Sequence, residues 1–319
     1  LRLVPSLFRQ SVRHRSGRWL LDTLGCLPPK PRSPALRGFL KGKLPTVDLV
    51  VAGPYIQGSS MDAADAASGK LVLFPCLHDE PEASLQAVGR MLRAASRVCF
   101  NSEPELQLAR RLHGQEIDGA VVGIGIDPPA LVASEEDVRQ RFGIRKDYLC
   151  FIGRCTPGKG IDRMVSAVLM HNRLRPDAAV DLIIAGNGRA VFPDSPGVRH
   201  IGYVDEATKH GLLSAALATV SFSRMESLSI LLLESWSVGT PVVVHADADV
   251  LEWQVRRSGG GLAIQTAEEF SAAIDRLRQP TERTRLGQAG ARLVQIEYAW
   301  ERVLERFSRS LPPLLSGAG

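Results

Sequence analysis

The chain has 319 residues, 45% hydrophobic and 23% charged, which is the composition of a globular protein with enough length for two ordinary cores. No run approaches the roughly 20 apolar residues that span a bilayer, no apolar leader core is recognisable, and five cysteines without CxxC spacing argue against a zinc site or a disulfide scaffold. The net charge of +5 is uneven: residues 1–43 carry ten Lys and Arg against Asp22 alone, so the remainder is acidic.

Taken in chain order, residues 1–45 form a basic leading segment. Pro28, Pro29, Pro31, Pro34 and Pro45 are expected to keep it from forming long regular elements. A basic arm of this kind suits an anionic lipid surface or a phosphorylated substrate. Without zinc-finger spacing or an aromatic ladder, nucleic acid is not expected as a partner. From Val47 a rhythm sets in. Strand-length apolar runs at 47–53, 70–76, 97–102 and 120–125 alternate with amphipathic stretches such as 83–95 and 103–112. Asp127, Pro128 and Pro129 break the pattern, and an acidic helix is expected over 134–142. The rhythm restarts at 147–154 and recurs at 180–186, 198–204, 218–223, 241–245 and 261–264. Apolar strands separated by helices indicate parallel sheets covered on both faces. The expected fold is therefore α/β, with two doubly wound Rossmann-like domains, the first of them incomplete. The expected limits are 46–127 for the first domain, 128–146 for a linker, 147–300 for the second domain, and 301–319 for a closing helix and tail.

Two stretches carry chemistry. In FIGRCTPGKG (151–160) a buried strand ends at Gly153-Arg154, and a turn through Pro157-Gly158 leads to Lys159. Ligands bind beyond the carboxyl ends of such strands. A guanidinium fork and a compact ammonium five residues apart could straddle a diphosphate. Taken alone, the pair reads as surface charge. In RMESLSILLLESWSVGTPVVV (224–244), Glu226 follows a strand, and a helix is expected from about Leu228 to Val238. Ser227 and Ser229 lie at the helix start, where free N–H groups and the dipole favour an anion. Glu234 stands among leucines and needs a partner, for which ribose hydroxyls would serve. The plain alternative is that Glu226 caps the helix and Glu234 faces water.

In this order and spacing, the Gly-Arg strand end, the Lys-Gly pair, AGNG (185–188), the two glutamates eight residues apart and GTPVV resemble retaining glycosyltransferase family 4 of the GT-B superfamily. The resemblance covers about residues 146–300. It implies that Arg154 and Lys159 contact a donor diphosphate, and that Glu226 and the backbone of Ser227, Leu228, Ser229 and Ile230 contact sugar and phosphate. It gives Glu234 the ribose. In the first domain, PCLHDEP (75–81), FNSEPE (100–105) and VVGIGID (121–127) match more loosely. They imply a catalytic role for His78 near the transferred sugar, beside Asp79 and Glu80. The family's opening strand and glycine-rich loop have no counterpart in residues 1–45. Asp247 and Asp249 spell a DxD that is read here as loop acids, with His245 beside them. No metal or other cofactor is expected.

The function implied is retaining transfer of a sugar from a nucleotide diphosphate sugar to a hydroxyl acceptor, which is a glycan, a lipid-linked species or a small molecule. Arg154, Lys159 and the helix N-terminus would stabilise the leaving diphosphate. A nucleotide-sugar-binding remnant without turnover and a GT-B epimerase are the alternatives. The expected setting is cytoplasmic, with peripheral contact to an anionic inner membrane face.

Overall fold

Parallel strand pairing builds both halves of the molecule. The computed structural model describes residues 32–188 and 195–311, so Cys26 and most of the basic arm lie outside the described residues. The chain divides into one unit of residues 1–123 and 303–319 and a second of residues 124–302.

The first unit opens on α1 (Pro34–Lys43), a helix in the stretch expected to be broken by proline. The expectation fails for a local reason. Ser33 caps the helix by accepting the Leu36 N–H at 3.2 Å, and Pro34 occupies the first turn, where its missing N–H costs nothing. Arg32 anchors the approach by pairing with the buried carboxylate of Asp62 at 2.7 Å. Four strands follow: β1 (Val50–Ala52), β2 (Leu71–Leu73), β3 (Arg97–Phe100) and β4 (Ala120–Val121). Between them run α2 (Gly58–Ala66), α3 (Gln86–Ala94) and α4 (Glu103–His113). The strands pair in sequence order, β1-β2-β3-β4, with no reversal among the described residues. Alternation along β2 and β3 separates two faces. Leu71, Leu73, Val98 and Phe100 meet Met61, Val88, Met91 and Leu106 of the helices, whereas Val72 and Cys99 meet Val122 and Val303.

The second unit begins with a short helix, α5 (Glu135–Phe142), inside the stretch expected as linker. Its Val138 and the following Ile144 pack with Tyr148 and Leu212, so this stretch belongs to the core of the second unit. Six strands follow: β5 (Tyr148–Ile152), β6 (Asp181–Ala185), β7 (Val198–Gly202), β8 (Ala218–Ser221), β9 (Val242–His245) and β10 (Gly261–Ile264). The helices are α6 (Ile161–Leu174), α7 (Glu206–Ser214), α8 (Ile230–Ser237), α9 (Asp249–Ser258), α10 (Ala267–Leu277) and α11 (Pro280–Glu297). Strand order is β10-β9-β8-β5-β6-β7, which reverses direction between β5 and β8. This is doubly wound, and its ligand crevice is expected at the carboxyl ends of those two strands. The final helix, α12 (Trp300–Ser310), was expected to begin a closing tail. From Val303 onward its residues belong to the first unit, because Val303, Phe307 and Leu311 cover the apolar face formed by Val72, Cys99 and Phe74.

Candidate functional site

At the switch point of the second sheet, the loops after β5 and β6 are laced together by main-chain hydrogen bonds, and the loop after β8 packs closely against the first of them. The Gly153 N–H donates to the Ala185 carbonyl at 2.9 Å, and the Cys155 N–H donates to Asn187 at 2.8 Å. This contact requires the two glycines of AGNG. A Cβ on Gly186 (φ +131°) would stand 2.0 Å from the Gly153 carbonyl oxygen, and one on Gly188 (φ +128°) 2.5 Å from that of Cys155. The loop after β8 closes the other side. Gly160, left-handed at φ +66°, starts α6 where a Cβ would lie 2.4 Å from the Phe222 carbonyl oxygen.

These contacts bring two of the expected residues together. Lys159 Nζ lies 2.7 Å from Glu226 Oε1, both side chains mostly buried. Arg154 is exposed on the same loop as Lys159, and its side chain has no hydrogen bond or ion pair among the described residues. Met225 is half-buried, with its sulfur above Gly158. Ser227 and Leu228 are buried and Ile230 is exposed. The Ser229 N–H donates to the buried Gln254 Oε1 at 2.9 Å, and Gln254 Nε2 donates back to the Ser229 carbonyl at 3.2 Å. That amide is therefore engaged, and of the backbone groups expected to meet an anion it is unavailable while this contact holds. The helix begins two residues later than expected, at Ile230.

Glu234 neither meets solvent freely nor stands alone among leucines. Its Oε1 accepts from Lys209 Nζ at 2.7 Å, and Lys209 also pairs with Glu206 at 2.6 Å. Burial pulls the Lys209 pKa down, but hydrogen bonds and charge from Glu206 and Glu234 outweigh it, so the net shift is upward. Sequence reasoning missed Lys209. The Glu206–Lys209 spacing is visible on one helix, but its link to a helix 25 residues away is not.

Asp247 is held by Arg163 at 3.1 Å, Arg224 at 2.9 Å and His245 Nδ1 at 2.6 Å. Burial raises its pKa, yet the Arg163 bond and the surrounding positive charge leave it below the usual carboxylate range. Among the described residues no group of three or more His, Cys, Asp and Glu is arranged to hold a metal.

His78 belongs to the first unit, past the carboxyl end of β2, with 35% of its side chain exposed and Nδ1 3.9 Å from Glu80. Glu80 accepts the Tyr55 hydroxyl at 2.6 Å, and burial followed by that carboxylate pushes the phenol well above its ordinary range. Asp79 forms an exposed pair with Arg111 at 2.7 Å.

A family described as glycosyl transferases group 1 matches residues 146–279. The D-inositol 3-phosphate glycosyltransferase of Thermomonospora curvata is 27% identical over 259 residues, covering 72% of this chain and 60% of that protein. The GDP-mannose-dependent monoacylated alpha-(1-6)-phosphatidylinositol monomannoside mannosyltransferase of Corynebacterium glutamicum is 28% identical over 200 residues, 57% of this chain and 52% of its own. The chain thus spans little more than half the length of these relatives. Among solved structures, Anabaena HepE in complex with UDP-glucose superposes with a TM-score of 0.69 at 19% identity, covering 87% of this chain and 82% of that one. Sucrose-phosphate synthase from Thermosynechococcus elongatus gives 0.68 at 18% identity, over 86% and 78%. These superpositions show the GT-B fold.

Proposed function

We propose, from the match of the second unit to the group 1 glycosyl transferases, the glycosyltransferase relatives and the GT-B fold, that this chain is a glycosyltransferase that moves a sugar from a nucleotide diphosphate sugar to a hydroxyl acceptor with retention. The observation that carries the reading is the meeting of Lys159 and Glu226 at the switch point, beside an exposed Arg154 on the same loop. Arg154 and Lys159 would hold the diphosphate and stabilise it as it leaves, and Glu226 would face the sugar. Glu234, kept in place by Lys209, would accept the ribose hydroxyls. In the first unit His78 would stand at the reacting sugar. Calorimetry with UDP and with uridine tests the diphosphate assignment. A charge-assisted hydrogen bond contributes about 1.5–3 kcal/mol, so Arg154→Ala is expected to weaken UDP binding roughly ten- to a hundredfold while leaving uridine nearly unchanged. Equal losses for both ligands would remove Arg154 from the diphosphate.

The acceptor we propose is phosphorylated or lipid-linked, reached at an anionic membrane surface. Of the two relatives, one is a D-inositol 3-phosphate glycosyltransferase and the other a phosphatidylinositol monomannoside mannosyltransferase. On α1, Phe39 is 60% exposed, and Lys41 and Lys43 are exposed beside it. An apolar ring among lysines suits an interface of anionic headgroups. Sedimentation with phosphatidylserine vesicles should show binding at low salt that fades as exposed charges are screened over about 8–10 Å. Equal binding to neutral vesicles would refute it.

Binding without turnover is the rival reading. It is favoured by the first sheet, whose four described strands run in sequence order without a switch point. Nucleotide affinity without sugar transfer or release would select it.

A further inference from the structure

One carboxylate ties together the loops that follow β2 and β3 in the first unit. Glu105 lies in the first turn of α4, three residues after Ser102, whose hydroxyl accepts the Glu105 N–H at 3.3 Å. In an ordinary capping box the glutamate side chain turns back to its own cap. Here it does not. Its Oε1 accepts the Leu77 N–H at 2.7 Å, across to the neighbouring loop, and its Oε2 accepts the Asn101 N–H at 2.6 Å. The residue is 1% exposed.

Two N–H donors on two different oxygens constrain the chemistry. A carboxyl group keeps acceptor capacity on both oxygens whether or not it carries a proton, but the amide of glutamine sets an NH2 donor against one of the two N–H groups. A buried N–H left facing a donor is costly, so the loop would have to move. The turn so held is an unusual one. Leu77 follows Cys76, the one non-glycine residue at positive φ among the described residues, at +52°. A residue with a Cβ stays in that region only where its surroundings over-determine it. Asn101 adds a second tie, its Nδ2 lying 3.4 Å from the Cys76 sulfur. His78 is the next residue along, and its carbonyl accepts the Glu80 N–H at 2.8 Å to complete the turn.

We infer that Glu105 is a positioning residue for His78: its carboxyl group clamps the amides of Leu77 and Asn101, and so fixes the left-handed turn from which the imidazole projects. The inference rests on the reading that His78 acts at the transferred sugar. Glu105 itself touches no substrate. A merely structural role would give a variant that is less stable but still presents His78 as before.

The test uses the full chain with ring-labelled histidine, Glu105→Gln against the parent, and UDP-glucose as the probe donor. His78→Gln assigns the His78 ring resonance among the seven histidines. In Glu105→Gln that resonance is expected to shift or broaden while those of the second unit stay in place. Hydrolysis or transfer of UDP-glucose should lose at least tenfold in kcat, with KM and UDP affinity held within twofold, because the proposed nucleotide contacts all lie in the second unit. An unchanged His78 resonance and unchanged kcat overturn the inference. If the parent turns over no UDP-glucose, the functional reading fails on that donor, and the resonance alone decides the role of Glu105. If Glu105→Gln does not fold, amide exchange in the parent decides. The Leu77 and Asn101 amides should be as protected as those of β3, and exchange at the rate of exposed loops overturns the clamp.

Discussion

Lys159 and Glu226 neutralise each other in a site where each would otherwise meet ligand. Their 2.7 Å pair is mostly buried, so it is screened less than a surface pair and must be loosened when a diphosphate competes for the ammonium. The carboxylate also repels the incoming phosphates. Glu226→Gln should therefore tighten UDP binding by a few-fold, on the order of 1 kcal/mol at effective dielectrics near the protein surface, while sugar transfer falls. This sign is opposite to that expected for Arg154→Ala, which has no such internal partner to release. Titration of both variants with UDP checks the pair. Weaker binding by Glu226→Gln would mean that the carboxylate supports the phosphate site. Glu234 differs again. Lys209 holds it from a neighbouring helix and is in turn shared with Glu206, so removing either acid leaves the ammonium a second partner.

At the scale of elements, helix starts and strand ends govern what the side chains can do. Burial pushes the Glu105 carboxyl up to about 8, against the opposing pull of the amides of Asn101, Leu77 and Cys76. A carboxyl whose folded pKa is raised binds its proton more tightly folded than unfolded. Its contribution to stability is therefore full below the unfolded value of 4.5 and is lost as pH rises through about 8. Urea denaturation of the parent and of Glu105→Gln between pH 5 and 9 should show the difference between them drifting against the parent with rising pH, by on the order of 4 kcal/mol. Parallel pH profiles would contradict it. The strands of both sheets were legible as apolar runs, because burial on two faces leaves a continuous signal, and the Arg154 and Lys159 loop was legible because it follows such a run. Contacts between distant segments were not. Ser102 and Glu105 announce the start of α4, but nothing in their spacing says that the carboxylate leaves its own helix for Leu77. The Gln254 amide that engages Ser229, and the ammonium that holds Glu234, each come from 25 residues away. Proline counting failed at Pro34, because one serine before it turns a helix breaker into a helix opener.

For the whole molecule, the proposed recognition and the proposed transfer are assigned to different units. The residues assigned to the nucleotide, Arg154, Lys159, Glu226 and Glu234, all fall in the second unit, and His78 falls in the first. His78→Ala is therefore expected to leave UDP affinity within twofold and to lower turnover at least tenfold, about 1.4 kcal/mol or more in the barrier. Calorimetry beside a turnover assay separates the two, and a matched loss in both would place His78 in nucleotide binding.

The lacing of the loops after β5 and β6 by main-chain hydrogen bonds also governs which changes the site can inherit. Because Gly153, Cys155, Ala185 and Asn187 are joined through peptide groups, these two loops hold each other in place largely independently of the side chains they carry. Gly160, Gly186 and Gly188 are exceptions, since any Cβ there meets a carbonyl oxygen. Substitutions elsewhere in the loops can accumulate and change which sugar or base is preferred without dismantling the support beneath. A library that fixes these three glycines and varies Thr156, Asn187 and Met225 should yield folded proteins at high frequency. One that varies the glycines should be depleted of them, so the site is free to diverge in preference but conservative in form.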